Sequence, residues 1–337
     1  MKAVGYRQSL PITHEQSLLD LQLPDPKPGP RDLLVQVRAV SVNPVDAKVR
    51  MRSAPADGEA KVLGWDASGV VLETGAEVTL FRPGDEVWYA GSITRQGSNA
   101  ELHLVDERIV GSKPRSLDFA QAAALPLTSI TAWELLFERL QVPSGKAHSN
   151  DSLLIVGAAG GVGSILTQLA SRLTGLHVIG TASRPETAEW VRTLGAHAVI
   201  DHSHPLSEEL HRIGIDGVSH VASLTKTDLH FAEIVKALTP QGRFALIDDP
   251  GPIDVAQLKQ KSLSLHWELM FTRSMFETAD MIAQHRLLCE VAALVDAGIL
   301  RTTVAEHLGP INAHNLKRAH KLIESGRSRG KIVLEGF

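Results

Sequence analysis

A glycine cluster at 157–163 constrains this chain more than any other feature. The apolar run 153–156 enters it, and a helical pattern of Ile165, Leu166, Leu169 and Leu173 leaves it. That order predicts a strand, a tight turn and a helix N-terminus. Backbone N–H groups and the positive end of the helix dipole then converge on the turn, a place suited to a pyrophosphate. The spacing Ala158-x-Gly160-x-x-Gly163 keeps two of the three glycines of the dinucleotide fingerprint. A glycine turn before a helix can also be purely structural, so the surroundings decide.

The surroundings alternate. From about residue 151, strand patterns at 152–156, 177–182, 198–201, 218–223 and 243–247 are interleaved with helical patterns at 163–173, 186–194 and 229–238. Such alternation implies a parallel sheet with helices on both faces. Before it, 33–40, 67–73, 86–90 and 100–105 read as strands separated by turns such as Arg82-Pro83-Gly84-Asp85. Residues 118–140 turn helical around a break at Pro126. After 262 the rhythm is lost: a strand-like segment at 263–271, helices at 279–295 and 316–323, and a closing strand at 331–334. The simplest architecture is α/β, a doubly wound Rossmann sheet (125–264) inserted in a β-rich outer domain (1–124 plus 265–337). Ligands of open parallel sheets sit at the carboxyl ends of the strands, which points to a site in the cleft between the two domains.

The 337 residues, 43% hydrophobic and 21% charged, suit a two-domain globular protein. A formal net charge of −4 without a basic block gives no argument for nucleic acid or an anionic membrane surface. No apolar run approaches the length of a membrane span, and the first six residues resemble a strand rather than a signal peptide. The single cysteine, Cys289, excludes an internal disulfide. These features suggest a cytoplasmic enzyme.

Five motifs, in order, carry a family resemblance. They are Asn43-Pro44-Val45-Asp46-Ala47-Lys48, Leu63-Gly64-Trp65-Asp66-Ala67-Ser68-Gly69, Pro83-Gly84-Asp85-Glu86-Val87, Ala124-Leu125-Pro126-Leu127-Thr128 and the glycine turn itself. Together they resemble the medium-chain dehydrogenase/reductase superfamily over essentially the whole chain. Within it the sequence is similar to the quinone oxidoreductase and enone reductase branch, called zinc-type alcohol dehydrogenase-like. The resemblance implies a GroES-like catalytic domain around the Rossmann domain, and a homodimer formed through the edge strands of the nucleotide domains.

The zinc enzymes of this superfamily carry a Cys where this chain has Asn43, a His-Glu pair where it has Trp65-Asp66, and a four-cysteine lobe. One cysteine cannot build that lobe, and His202 and His204 in one loop fall short of the three ligands that a catalytic zinc needs. We therefore expect no functional zinc and no metal-assisted alcohol oxidation.

An acid at the tip of the second nucleotide strand would bind the ribose 2′-hydroxyl of NAD. Here that strand ends in Thr181-Ala182-Ser183-Arg184, a hydroxyl and a guanidinium that suit a 2′-phosphate. The expected cofactor is NADP(H), although Arg184 could simply open the next helix. Its contacts are expected from Ala159, Gly160, Gly161 and Val162 on the turn and from Ser183 and Arg184. By resemblance they extend to Thr128 and Thr131 and to Arg329 and Lys331; the backbone of Ile247 and Asp248, which end a strand at the carboxyl edge, and of Phe271 and Thr272, at the return crossing, is expected to hold the carboxamide.

Reduction of a conjugated carbonyl places charge on its oxygen, which needs donors. Asn43 and Lys48 are the candidates on a turn beginning at Pro44, with Asp46 orienting them or a cofactor hydroxyl. Trp65 offers an aromatic wall and Tyr89 a hydroxyl for the substrate, although an aromatic beside glycine-rich strands is commonly core. The expected activity is zinc-independent transfer of hydride from NADPH to a quinone or α,β-unsaturated carbonyl. The alternatives are a zinc-type alcohol dehydrogenase and a non-catalytic NADPH-binding protein.

Overall fold

The computed structural model describes residues 1–146 and 150–337. They form two compact units, Met1–Ile130 with Phe271–Phe337, and Thr131–Met270.

The first unit opens with β1 (Lys2–Tyr6), β2 (Leu19–Gln22), β3 (Asp32–Val42), α1 (Pro44–Arg52), β4 (Lys61–Val62), β5 (Ala67–Thr74), β6 (Glu86–Tyr89), β7 (Leu102–Asp106) and β8 (Val110–Ser112), followed by α2 (Phe119–Ala123) and α3 (Pro126–Trp133). Strand β3 is the spine of its sheet. It pairs antiparallel with β5, β7 and the last strand of the chain. Its interior positions from Leu33 to Val42 are mostly Val, Leu and Ala, with residues 36 and 38 exposed, so the strand buries both faces along much of its length.

Helix α1 stands where the sequence predicts only a turn. Its buried positions are Asp46, Ala47 and Arg50, so no apolar periodicity marks it. It is held by polar contacts instead. The Asp46 carboxylate accepts the Asn43 N–H at 2.7 Å, one arm of a capping box, and Pro44 starts the first turn. The buried Arg50 guanidinium reaches the Leu10 carbonyl and Glu324.

The second unit runs β9 (Ser152–Val156), α4 (Gly161–Leu173), β10 (His177–Thr181), α5 (Pro185–Thr193), β11 (Ala198–Ile200), α6 (Leu206–Arg212), β12 (Val218–Ser223), α7 (Thr227–Ala237), β13 (Leu238–Leu246) and β14 (Ser264–Trp267). All five pairings are parallel, and the spatial order is β11-β10-β9-β12-β13-β14. With β9 as the first strand this is the doubly wound 3-2-1-4-5-6 Rossmann order, whose direction reverses at β9 and β12. Leu154, Val156, Ile179, Val221, Phe244 and Leu246 lie fully inside its core. Each such side chain contributes about 1.5–3 kcal/mol relative to exposure. Helix α6, which the sequence reading passes over, packs Leu206 and Leu210 into the same core.

After α3 the chain makes a π-helical turn over Glu134–Arg139. Glu134 is buried, and so is Glu268 just beyond β14. Arg139 Nε donates to Glu268 Oε2 at 2.8 Å. Burial, then the neighbouring charge of Glu134, hold the Glu268 carboxyl well above the ordinary carboxylate range.

The chain re-enters the first unit through α8 (Thr272–Met275), α9 (Ala283–Asp296), β15 (Val304–His307), α10 (Ala313–Glu324) and β16 (Lys331–Glu335). Strand β16 lies antiparallel to β3 and completes the sheet order β15-β16-β3-β5-β6-β8, with β7 alongside β3. Among the described residues no helix is long and apolar enough to cross a membrane.

Candidate active site

In the first unit, the pairing of β16 with β3 sets Ile332 opposite Val42. It thereby delivers Lys331 to the start of α1. The Lys331 ammonium is buried, 3% exposed, and lies 2.9 Å from Asp66 Oδ2, itself wholly buried. It also donates to Asn43 Oδ1 and, at 3.3 Å, to the Val42 carbonyl. The Asp66 carboxylate accepts from Ser41 Oγ at 2.9 Å, Asn43 Nδ2 at 3.0 Å and the Leu127 N–H at 2.8 Å. One buried anion, one buried cation and an amide thus satisfy one another, as buried charges require.

This arrangement redefines Asn43. The sequence nominates its amide as a donor to substrate. The structure shows that amide 1% exposed, with Nδ2 turned to Asp66 and Oδ1 taken by Lys331. Asp46 is equally buried, and burial raises its carboxyl to about 7. Lys48, on the same helix, is only partly buried. Asn43, Asp46 and Lys331 therefore meet in one interior network, whereas Lys48 stands nearer solvent. Arg329, two residues before Lys331, is exposed.

Trp65 and Tyr89 are interior residues. The Trp65 indole N–H donates to the Ser92 carbonyl at 3.1 Å, and its ring meets Phe271 edge-on at 6.3 Å. The Tyr89 ring stacks on His103 at 5.4 Å, its hydroxyl lies 3.1 Å from His103 Nδ1, and burial pushes the phenol far up. The expectation that Tyr89 offers its hydroxyl to a substrate thus meets a phenol with no exposed surface and a partner in place. Thr128 is 2% exposed, its hydroxyl donating to the Leu125 carbonyl at 3.1 Å. Thr272 is partly buried at the start of α8.

In the second unit the glycine turn has the form a dinucleotide needs. Gly157 has φ +84°, which favours glycine. A Cβ on Gly163 would lie 2.5 Å from the Gly157 carbonyl oxygen, so only glycine lets α4 pack this close to the turn. A Cβ on Gly160 would meet only that same oxygen, at 3.5 Å, and otherwise project into open space. Gly160 is the N-cap of α4, no side chain caps the helix, and Ala159 to Val162 are partly exposed. The N–H groups at the helix N-terminus are therefore partly exposed with no side chain capping them, an arrangement that fits a pyrophosphate. Ser183 is exposed beyond β10, and Arg184 is the N-cap of α5, its Nε 3.4 Å from Glu186. The Asp248 carboxylate accepts from the Thr227 N–H at 2.9 Å and from the Thr227 hydroxyl, fastening the start of α7, which leaves the backbone nominated for the cofactor outside this contact. Ile247 and Thr131 are partly and almost fully buried.

The chain is similar to known proteins along its whole length. A zinc-type alcohol dehydrogenase-like protein of Staphylococcus epidermidis is 36% identical over 336 residues, covering 99% of both chains. The chain belongs to the medium-chain dehydrogenase/reductase superfamily. Within this superfamily, a model of the alcohol dehydrogenase GroES-like domain matches residues 29–116, and one of zinc-binding dehydrogenases matches 194–334. A mitochondrial NAD(P)H oxidoreductase of Mus musculus is 33% identical, covering 90% of this chain and 82% of its own. Among solved structures, a Rhizobium etli CFN 42 protein provisionally named a zinc-dependent alcohol dehydrogenase is 60% identical, with TM-score 0.96, covering 100% of this chain and 98% of its own. A Pseudomonas syringae quinone oxidoreductase is 26% identical with TM-score 0.84, covering 99% of each chain. As a member of the superfamily, this chain is an oxidoreductase that works with a nicotinamide dinucleotide.

The superfamily also raises zinc, and the residues present fit it poorly. Asn43, Trp65 and Asp66 supply one anionic group, which already holds the Lys331 ammonium. A catalytic zinc takes about three nitrogen, thiolate or carboxylate ligands. Among the described residues no three His, Cys, Asp or Glu side chains converge as a metal site.

Sequence reasoning missed Ser41 and the central role of Asp66. Asp66 and Lys331 lie 265 residues apart in the chain, and only the register of β16 on β3 joins them.

Proposed function

We propose that this chain is a zinc-independent, NADPH-dependent reductase of quinones or α,β-unsaturated carbonyls. The observation that carries the reading is the Asp66–Lys331–Asn43 network, an internal ion pair at the positions where zinc relatives carry ligands. A reductase of conjugated acceptors needs no Lewis acid, because the acceptor is already polarised and hydrogen-bond donors can stabilise the charge on its oxygen. The 26% identical quinone oxidoreductase supports this substrate class. The NADPH preference is supported by Ser183 and Arg184 at the end of β10, with no carboxylate on the strand tip itself.

The bound nicotinamide supplies the hydride. Lys48 is the residue we assign to the carbonyl oxygen, since it is the partly exposed cation of the motif. Asn43 and Asp46 are positioning residues: Asp46 closes the cap of α1, and Asn43 ties that cap to the ion pair. Trp65 supports the segment from behind through Ser92 and Phe271. The proton for the α-carbon comes from water. The turn from Ala159 to Val162 takes the pyrophosphate.

A zinc-dependent alcohol dehydrogenase is the competing reading, favoured by the name of the 60% identical Rhizobium protein. A homodimer through β14 is part of our proposal. This edge strand carries an exposed Trp267, with Leu269 exposed just beyond it. The activity is tested by following NADPH and NADH oxidation against panels of quinones, enones and simple aldehydes. Turnover of quinones or enones with NADPH is expected. Turnover confined to alcohols and simple aldehydes would overturn the assignment.

A further inference from the structure

Two histidines meet over the carboxyl ends of the parallel strands. His202 follows β11, and His230 lies in the first turn of α7, which follows β12. In the sheet, β10 and β9 separate those two strands. The imidazoles nevertheless pack edge to face with centroids 6.1 Å apart, so their contact crosses the ends of β10 and β9. Thr181, the last residue of β10, ties the pair to the glycine turn. Its hydroxyl oxygen accepts from the Gly157 N–H at 3.0 Å and lies 3.0 Å from His202 Nδ1.

The charges around the pair are mixed. Lys226, the N-cap of α7, bears on both rings. Asp201 bears on His202, while Asp228 and Asp248 bear on His230. Arg184 and Glu186 form an ion pair at the start of α5, just past Thr181. Burial first, then the neighbouring imidazole and Lys226 for His202, and Lys226 for His230, hold both rings below the ordinary histidine range. Both are therefore neutral near pH 7 even with these carboxylates nearby.

We propose that this histidine pair is a proton-linked clasp for the phosphate-bearing ribose of NADPH: His202 takes up a proton from solvent when the 2′-phosphate is seated, and does not when the dinucleotide ends in a plain ribose. The inference rests on the NADPH reading above. In the neutral ring Nδ1 accepts the Thr181 hydrogen and Nε2 carries the N–H. The proton taken up goes to Nδ1, and the Thr181 hydroxyl rotates to accept it. The imidazolium then opposes the phosphate dianion, and Thr181 transmits its position to the glycine turn. Ser183 and Arg184 recognise the phosphate at all pH values, and the clasp adds affinity on the acid side.

Calorimetric titration of the full chain with NADPH and with NADH, in buffers of different ionisation heat from pH 6 to 8, counts the protons taken up. Expected for the wild type is greater proton uptake with NADPH than with NADH, and NADPH affinity rising about threefold or more as pH falls across that range. His202→Gln should lower both the uptake and the pH slope while leaving NADH binding unchanged, and His230→Gln should weaken them in part. Melting curves check that each variant is folded. If NADPH is preferred but His202→Gln binds it with the same proton uptake and slope, the clasp is wrong and the NADPH reading stands. If the wild type binds NADH as tightly as NADPH, the NADPH reading fails, and the clasp with it.

Discussion

Replacing Lys331 by methionine removes the counter-charge of Asp66 while keeping most of the side-chain volume. Asp66 would retain Ser41, Asn43 and the Leu127 N–H, but it would be a fully buried carboxylate with no cation, and Asn43 Oδ1 would lose its donor. Breaking a buried ion pair from one side costs about 3–5 kcal/mol. For a domain of 150–250 residues each kcal/mol moves the melting temperature by about 2–4 °C, so the first unit should melt roughly 6–20 °C earlier. The double variant Asp66→Asn/Lys331→Met carries no buried charge at this place and should recover at least half of that loss. The assay is a double-mutant cycle by thermal and urea unfolding of Lys331→Met, Asp66→Asn and the pair. A loss below about 1 kcal/mol for Lys331→Met, or single losses that simply add, would refute the claim that the network is one coupled unit.

Three further outcomes follow from the same geometry. Arg184→Ala should raise the KM for NADPH about 10–100-fold and leave that for NADH near its starting value, the size expected for losing a charge-assisted hydrogen bond; steady-state kinetics with both cofactors decide it. Glu268 has its carboxyl raised in the folded chain by burial and by Glu134, so it favours the folded state most below the ordinary carboxyl value of 4.5 and progressively less as pH rises. Glu268→Gln should therefore flatten the decline of melting temperature between pH 5 and 9 relative to the wild type; an unchanged profile would show that Glu268 does not titrate as described. Trp267→Glu on the exposed edge β14 should shift the protein toward the monomer by light scattering, and an unaltered mass would remove β14 from the assembly.

The Rossmann unit was the most legible part of this sequence. Buried parallel strands are short apolar runs, and each is followed by a helix, so 152–156 and 218–223 could be read directly and match β9 and β12. Where burial is partial or polar the signal fades. Helix α1 buries Asp46 and Arg50 rather than an apolar stripe, and a pattern search sees only a turn. Strand β15, from Val304 to His307, is half exposed at the sheet edge and shows no alternation to detect. Strand β13 begins at Leu238, ahead of the expected 243: Leu238 pairs with Val218, and the ladder resumes at Arg243 opposite His220 after an irregular stretch without an apolar run.

The candidate site divides in the same way. The glycine turn is local, so its strand, turn and helix N-terminus can be read from the chain. The ion pair is not local: nothing near Asp66 in sequence announces Lys331, and the pairing of β16 with β3 alone brings them together. The motif around Asn43 is visible in the sequence, but its contacts are not. Its neighbours change its meaning, from a donor aimed at substrate to the link between the α1 cap and the buried charges.

Zinc-independent reduction is the central claim, and it is tested most directly on protein stripped of metal. Zinc is quantified in the purified chain before and after exhaustive chelation, and NADPH oxidation with quinone and enone acceptors is followed in each sample. The account predicts substoichiometric zinc and the same turnover in both. Stoichiometric zinc, with activity lost on chelation and restored by the metal, would contradict it.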